Sequence, residues 1–339
     1  MKAAVLGCGI MGKTHARNWP SVPGVRLVGV CDADRPTAEK VAAENGTRAY
    51  ASLEEMLEAE RPDVLSVCLP TYLHKPYVLQ AAGAGVHVVC EKPIAPTLED
   101  AEDIIAGCRS HGVRLFIAQV VRFFPSYRDL AAKVRAGAIG EPGVMHTKRI
   151  GGHPGQAKAW YYDREKSGGV ILDLLIHDID YMRSVFGEVE TVFALNRVTE
   201  ETDYALVTLR FKQGAIANLE GHWGYPGPFT TAAEFAGTKG VLRFHSDDAV
   251  SLRVHAFRKS AEDGPKVAVP KSPAYHDPYY YELEHFAQCI RSGEEPLVTA
   301  EDAYRAMEIG HAAIASAKSG QPVRMDEFAR GRKGGSLDV

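Results

Sequence analysis

Asp173 and His177 lie four residues apart in the run Ser167-Gly-Gly-Val-Ile-Leu-Asp-Leu-Leu-Ile-His-Asp-Ile-Asp180-Tyr181. On one continuous helix that spacing places both on the same face. Their neighbours Val170, Ile171, Leu172, Leu174, Leu175, Ile176 and Ile179 are apolar, and a polar pair buried among them is costly unless it is hydrogen-bonded. A histidine titrating near neutrality can take a proton from a hydroxyl, and a carboxylate can fix its tautomer. A third group, Lys92, follows an apolar strand in Glu91-Lys92-Pro93. Pro93 biases Lys92 towards extended backbone, and an ammonium held there could steady a developing alkoxide. A base, an orienting acid and a cation are what oxidation of an alcohol carbon demands. The plainer reading is a satisfied core Asp–His pair and a solvated lysine. A zinc reading lacks a third ligand, so no metal is expected.

Alcohol oxidation needs a hydride acceptor, and the N-terminus supplies a place for one. Gly7-Cys-Gly9-Ile-Met-Gly12 follows the first apolar strand and opens a helix. Gly7 permits a tight turn, Gly9 admits a pyrophosphate to the backbone, and Gly12 lets helix and strand pack closely. The helix N-terminus then faces phosphate with free amides. Asp32 ends the second strand, 20 residues after Gly12, where a carboxylate accepts from ribose hydroxyls and repels a 2′-phosphate. This predicts NAD. Arg35 lies three residues further and keeps NADP open.

These groups need a scaffold. The chain has 339 residues, 45% hydrophobic and 24% charged, which fits two folded domains. With 39 Lys+Arg against 43 Asp+Glu, the formal net charge is −4. That balance predicts neither nucleic-acid nor membrane-surface partners. There is no signal peptide and no apolar run long enough to span a bilayer, so a cytoplasmic protein is expected. The six cysteines at 8, 31, 68, 90, 108 and 289 form no C-x-x-C pair and read as small buried hydrophobes.

Strand-like runs at Lys2–Leu6, Val25–Cys31, Val64–Leu69, Val86–Cys90 and Val113–Ala118 are almost wholly apolar. They alternate with helical segments, two of them starting at the capping residues Ser52 and Thr97. This predicts a doubly wound parallel sheet covered on both faces. Beyond residue 121 the pattern changes. A helix near Ser126–Arg135 precedes a Gly-rich stretch at 137–155, and a single long helix is predicted over Gly169–Phe186. Alternating runs follow at Val192–Val198, Ala205–Phe211, Ala215–Trp223, Thr231–Ala236 and Val250–Ala256, predicting a mostly antiparallel sheet. Helices are expected near 278–292 and 300–318. The predicted fold is α/β: a nucleotide-binding domain at 1–121 and an α/β domain with a large sheet at 122–339, whose last helices could pack back on the first domain. Trp223, Phe235 and Leu252 are expected to contribute to a second apolar sheet face that pairs copies of the chain.

In several segments the sequence resembles the glucose–fructose oxidoreductase / inositol dehydrogenase (Gfo/Idh/MocA) family. They are GCGIMGKTHARN at 7–18, LPTYLH at 69–74, EKP at 91–93, RFFPSY at 122–127, SGGVILDLLIHDID at 167–180, EFAGTKGVLRF at 234–244 and PLVTAEDAYRAMEIGHAAIASAKSG near the C-terminus. The resemblance spans nearly the whole chain. It implies a Rossmann domain, and a second domain whose open sheet face forms dimers or tetramers. It implies Lys92, Asp173 and His177 as catalytic residues. Gly7, Gly9, Ile10, Met11, Gly12, Asp32, Pro70, Thr71, His74, Glu91 and Lys92 become cofactor contacts. Arg122 becomes a pocket residue, with His153, Trp160, Tyr162, Asp178 and Tyr280 as further substrate candidates. The implied activity is NAD(P)-dependent oxidation of a polyol, sugar or sugar derivative. The rivals are an NADPH-dependent keto-sugar reductase, an NAD-dependent glycosidase and a non-enzymic sugar or dinucleotide sensor. The sensor is disfavoured because lysine, aspartate and histidine are all present.

Overall fold

The computed structural model describes residues 1–248 and 276–333. Six short strands build the first sheet: β1 (Lys2–Leu6), β2 (Arg26–Cys31), β3 (Arg48–Tyr50), β4 (Val64–Val67), β5 (His87–Glu91) and β6 (Leu115–Ala118). All are parallel, in the order β3-β2-β1-β4-β5-β6. The order reverses beside β1, which opens a crevice at the carboxyl ends of β1 and β4. Helices on both faces explain why these strands lack a polar side: Ala3, Ala4, Val5, Leu65, Val67, Val88 and Val89 are fully buried. Edge strand β3 has only three residues and no apolar run, so the periodicity does not announce it.

The second sheet has seven strands: β7 (Pro142–Gly151), β8 (Val189–Val198), β9 (Asp203–Phe211), β10 (Ile216–Trp223), β11 (Thr230–Gly237), β12 (Gly240–His245) and β13 (Val323–Arg324). They lie in the order β12-β11-β7-β10-β9-β8-β13. Every pairing is antiparallel except β10 with β7. The stretch read as Gly-rich contains β7, a central ten-residue strand. Its glycines lie near the strand's ends, while Met145, Thr147 and Arg149 alternate inward between them. The run Val250–Ala256 and Leu252 lie outside the described residues.

One face of this sheet is covered by the Ile176–Phe186 and Ala300–Ser319 helices, which share a core with Val207, Leu209, Leu219 and Phe235. Trp223 and Phe235 belong to this covered face, at 3% and 0% exposure. They therefore cannot serve the open face, as the alternation alone had suggested. The open face carries Val144, Leu195, Leu206, Ile216 and Val241, all well exposed. The Pro278–Ser292 helix returns to the first sheet's layer, where Leu283 and Phe286 pack with Trp19, Phe116 and Phe123.

Candidate active site

At the end of β1, Gly7 adopts φ +89, and a Cβ there would lie 2.5 Å from the carbonyl oxygen of Cys68. A Cβ on Gly12 would fall 1.7 Å from the Gly7 carbonyl oxygen, so only glycine lets the Ile10–Asn18 helix seat against the strand end. Gly9 differs: a Cβ there meets nothing within 4 Å. Its backbone faces open space at a helix N-terminus whose first amides have no partner within the helix. Asp32 is held by two backbone donors, Cys8 N to Oδ2 at 2.7 Å and Asp34 N to Oδ1 at 2.8 Å. Each oxygen keeps lone pairs for a ribose. Ile10 is exposed and Met11 half-buried beside this cradle. Its shape and donors fit a dinucleotide. Arg35 opens the next helix and pairs with Glu39 along it at 2.9 Å.

Pro70 and Thr71 follow β4, with Thr71 buried. The His74 ring lies 2.9 Å from the Leu69 carbonyl and 3.1 Å from those of Pro93 and Ile94, tying two strand-end loops together. Burial lowers its pKa. Glu91 ends β5, with Oε1 3.1 Å from His15 Nε2; His15 Nδ1 lies 3.0 Å from Ser66 Oγ. Among the described residues His15, Cys68 and Glu91 bring ligand-type atoms within 4.8 Å of one another. His15 already engages both ring nitrogens, and no metal is needed to explain the group.

Lys92 crosses the cleft between the two sheets. Its Nζ donates to the Asp173 carbonyl at 2.5 Å and to Asp173 Oδ1 at 3.1 Å. Asp173 ends a short helix, Gly169–Asp173, and a new helix begins at Ile176. The single long helix expected from the apolar run is thus broken at Leu174–Leu175, where Leu175 N reaches back to the Val170 carbonyl. The i, i+4 argument fails with it. Asp173 bonds Lys92 rather than His177, and His177 Nδ1 is buried without a partner among the described residues. His177 remains partly open to the cleft. Its pKa is held well below the ordinary value, first by burial, then by the positive charges of Lys92 and Arg149. The structure therefore presents a neutral imidazole beside a cation tethered by an acid.

The remaining substrate candidates separate. Trp160 stacks on Tyr161, with centroids 3.9 Å apart, and meets Tyr72 of the first domain edge-on. His153 stacks on Tyr162 at 4.6 Å and approaches Trp223, while its Nδ1 accepts from Gly155 N. These form one aromatic wall above the cleft. Three others do not join it. Asp178 is fully buried, with Oδ2 taken by Arg149 Nε at 2.6 Å. Arg122 is clamped on Asp180 through Nε at 2.7 Å and a second nitrogen at 2.5 Å. Tyr280 is buried, bonds Glu284 at 2.8 Å and stacks on His276.

Comparison with known proteins bears on the whole arrangement. Residues 1–119 match the "Oxidoreductase family, NAD-binding Rossmann fold" and residues 131–325 the "Oxidoreductase family, C-terminal alpha/beta domain" of GFO/IDH/MocA proteins. The chain belongs to the GFO/IDH/MocA oxidoreductase family. It is similar to scyllo-inositol 2-dehydrogenase (NAD(+)) of Bacillus subtilis, at 32% identity over 96% of each chain. It is also similar to myo-inositol 2-dehydrogenase of Thermotoga maritima, at 31% identity over 96% of this chain and 99% of that one. Among solved structures, a myo-inositol 2-dehydrogenase from Lactobacillus plantarum superposes with a TM-score of 0.81 at 26% identity, over 96% of this chain and 99% of that one.

As a GFO/IDH/MocA oxidoreductase the chain uses an NAD-binding domain, in agreement with the cradle's geometry. The structure also brings in residues that motif reading passed over. Tyr161 is pushed up in pKa, first by burial and then by Asp173 and Glu91. Tyr279 is raised likewise, by burial and then by Glu91 and Glu282. Glu282 is wholly buried, and neither carboxylate oxygen has a partner. Burial and then Glu91 raise its pKa well above the usual carboxylate range. The resemblance named Tyr280, whereas helix phase sets its neighbour Tyr279 towards Glu91.

Proposed function

We propose that the chain oxidises a hydroxyl carbon of a polyol or sugar reversibly with NAD. Lys92, Asp173 and His177 carry the proton and charge chemistry. The observation that supports this most is the Lys92–Asp173 bridge across the cleft, beside a neutral histidine with an unpartnered ring nitrogen. His177 takes the substrate's hydroxyl proton. Lys92, oriented by the Asp173 carbonyl and carboxylate, donates to the oxygen as negative charge develops there. NAD, when bound, supplies the hydride acceptor. Gly7, Gly9 and Gly12 with the first helical turn would hold its pyrophosphate, and Asp32 its adenosine ribose. Residues 1–121 are read as the cofactor domain and 122–339 as the substrate domain.

The aromatic wall of Trp160, Tyr162 and His153 presents flat faces to sugar C–H surfaces, and inositol dehydrogenases are among the relatives. Following absorbance at 340 nm over a panel of polyols and sugars, with NAD and NADP in parallel, tests this reading. Turnover with NAD is the expected result. Tight NAD binding without turnover on any polyol or sugar would favour a sensor instead.

A dimer through the open face of the second sheet completes the proposal. Val241, Ala236, Val144 and Ile216 are register neighbours across β12, β11, β7 and β10 and form one apolar row. Such a row left in water marks an interface. Light scattering at micromolar concentration should return at least twice the 36.9 kDa chain mass.

A further inference from the structure

A second cavity, of about 550 Å3, opens in the second domain between the Pro125–Arg135 helix, the Ile176–Phe186 helix and the Leu297–Asp302 segment. Four arginines line it: Arg122, Arg128, Arg135 and Arg183. Two are fixed. Arg122 is held by Asp180, the Leu297 carbonyl and Asp302. Arg183 is held by Asp302 at 2.8 Å and Glu188 at 2.6 Å. The side chains of the other two, two turns apart on one helix, have no hydrogen bond or ion pair among the described residues. Four guanidiniums against the three carboxylates Asp180, Glu188 and Asp302 leave one net positive charge.

A further observation points to an absent acceptor. Arg183 Nε is buried and makes no hydrogen bond among the described residues. Buried N–H groups almost always find a partner, and a guanidinium without one has lost its water for nothing. An anion in the cavity would accept from it while neutralising the excess charge. Arginine forks match the oxygens of a phosphate group better than a point cation does.

We propose that this cavity binds a phosphate group, free or as the monoester of a small metabolite, between Arg128, Arg135 and Arg183. The site is separate from the cleft that holds His177, and the proposal stands whatever reaction occurs there.

Calorimetric titration of the NADH-saturated enzyme tests it, in a phosphate-free buffer at constant ionic strength. Saturating NADH keeps the dinucleotide cradle from taking the probe. The probes are inorganic phosphate and glycerol 2-phosphate, and the tighter of the two identifies the source. Binding in the millimolar range or tighter is expected, weakened at least tenfold in the Arg128→Gln/Arg135→Gln double variant. Neither side chain has a partner to lose, so the fold should persist, which circular dichroism verifies. The exposed pair Lys212→Gln/Lys239→Gln removes the same charge elsewhere and should leave binding unchanged. No binding of either probe at 20 mM, equal affinity in the double variant, or equal loss in the lysine control would each overturn the proposal.

Discussion

The two sides of the cleft are built on different physical terms. On the cofactor side the working atoms are backbone: amides at a helix N-terminus, a glycine facing open space and one carboxylate held by two amides. Only local chain geometry is needed, and every part lies within 26 residues of sequence. On the side proposed for the chemistry the groups are side chains placed just after β5, at a helix end and at a helix start, with Arg149 of β7 adding its charge. These groups are crowded together, and the charges of Lys92 and Arg149, after burial, lower the His177 pKa. Substitutions on the first side should act through shape and affinity. On the second they should act through charge, with consequences far beyond one contact.

The largest expected effect is at His177. Removing a general base typically lowers the rate 10²–10⁴-fold, so His177→Ala should lose about that much kcat. NADH affinity, measured by fluorescence titration, should stay within a few-fold of wild type. If Asp173 and His177 merely stabilised the fold, the same variant would melt earlier and turn over almost normally.

Lys92→Met comes next, with an expected loss of about 10²-fold in kcat/KM. The pH profile carries the sharper signal. Lys92 lowers the His177 pKa, so the neutral base persists to lower pH in the wild type. The acid limb of kcat/KM should therefore lie below pH ~6.5 and move to higher pH in the variant. A limb that stays put would separate Lys92 from His177.

A smaller change is expected on the cofactor side. Asp32→Ser should lower the preference for NAD over NADP by about tenfold, some 1.4 kcal/mol, with kcat on the preferred cofactor little altered. Steady-state kinetics with both cofactors measure this, and a wild type that prefers NADP tenfold would break the assignment of Asp32.

The last effect falls on stability, with turnover untouched. The unfolded chain ionises Glu282 above the ordinary carboxylate pKa, while burial in the fold favours its protonated form to higher pH. The native state thus binds the extra proton. Stability must fall as pH rises through that window, by about 1.4 kcal/mol per unit. Glu282→Gln removes the ionisation and keeps the shape. Its Tm should match wild type near pH 4 and exceed it by a margin that grows as pH rises above the ordinary carboxylate range. A margin that shrinks with pH would show that Glu282 is ionised in the fold and stabilised by a cation.

Much was legible in the residues alone. The parallel sheet followed from apolar runs alternating with helices, because strands covered on both faces have no polar side. The cradle followed from three glycines and Asp32, because its geometry is local. The caps at Ser52 and Thr97 accept from Glu55 N and Asp100 N as their types predict. What tertiary structure decided was everything that depends on phase or distance. A break at Leu174–Leu175 turned Asp173 from His177 to Lys92, because packing overrode the continuous apolar pattern. Helix phase put Tyr279 rather than Tyr280 beside Glu91, and packing of the Ile176–Phe186 helix tied Asp178 to Arg149 and Arg122 to Asp180 in buried ion pairs. Periodicity records which residues are apolar; only the packed fold determines which charges meet.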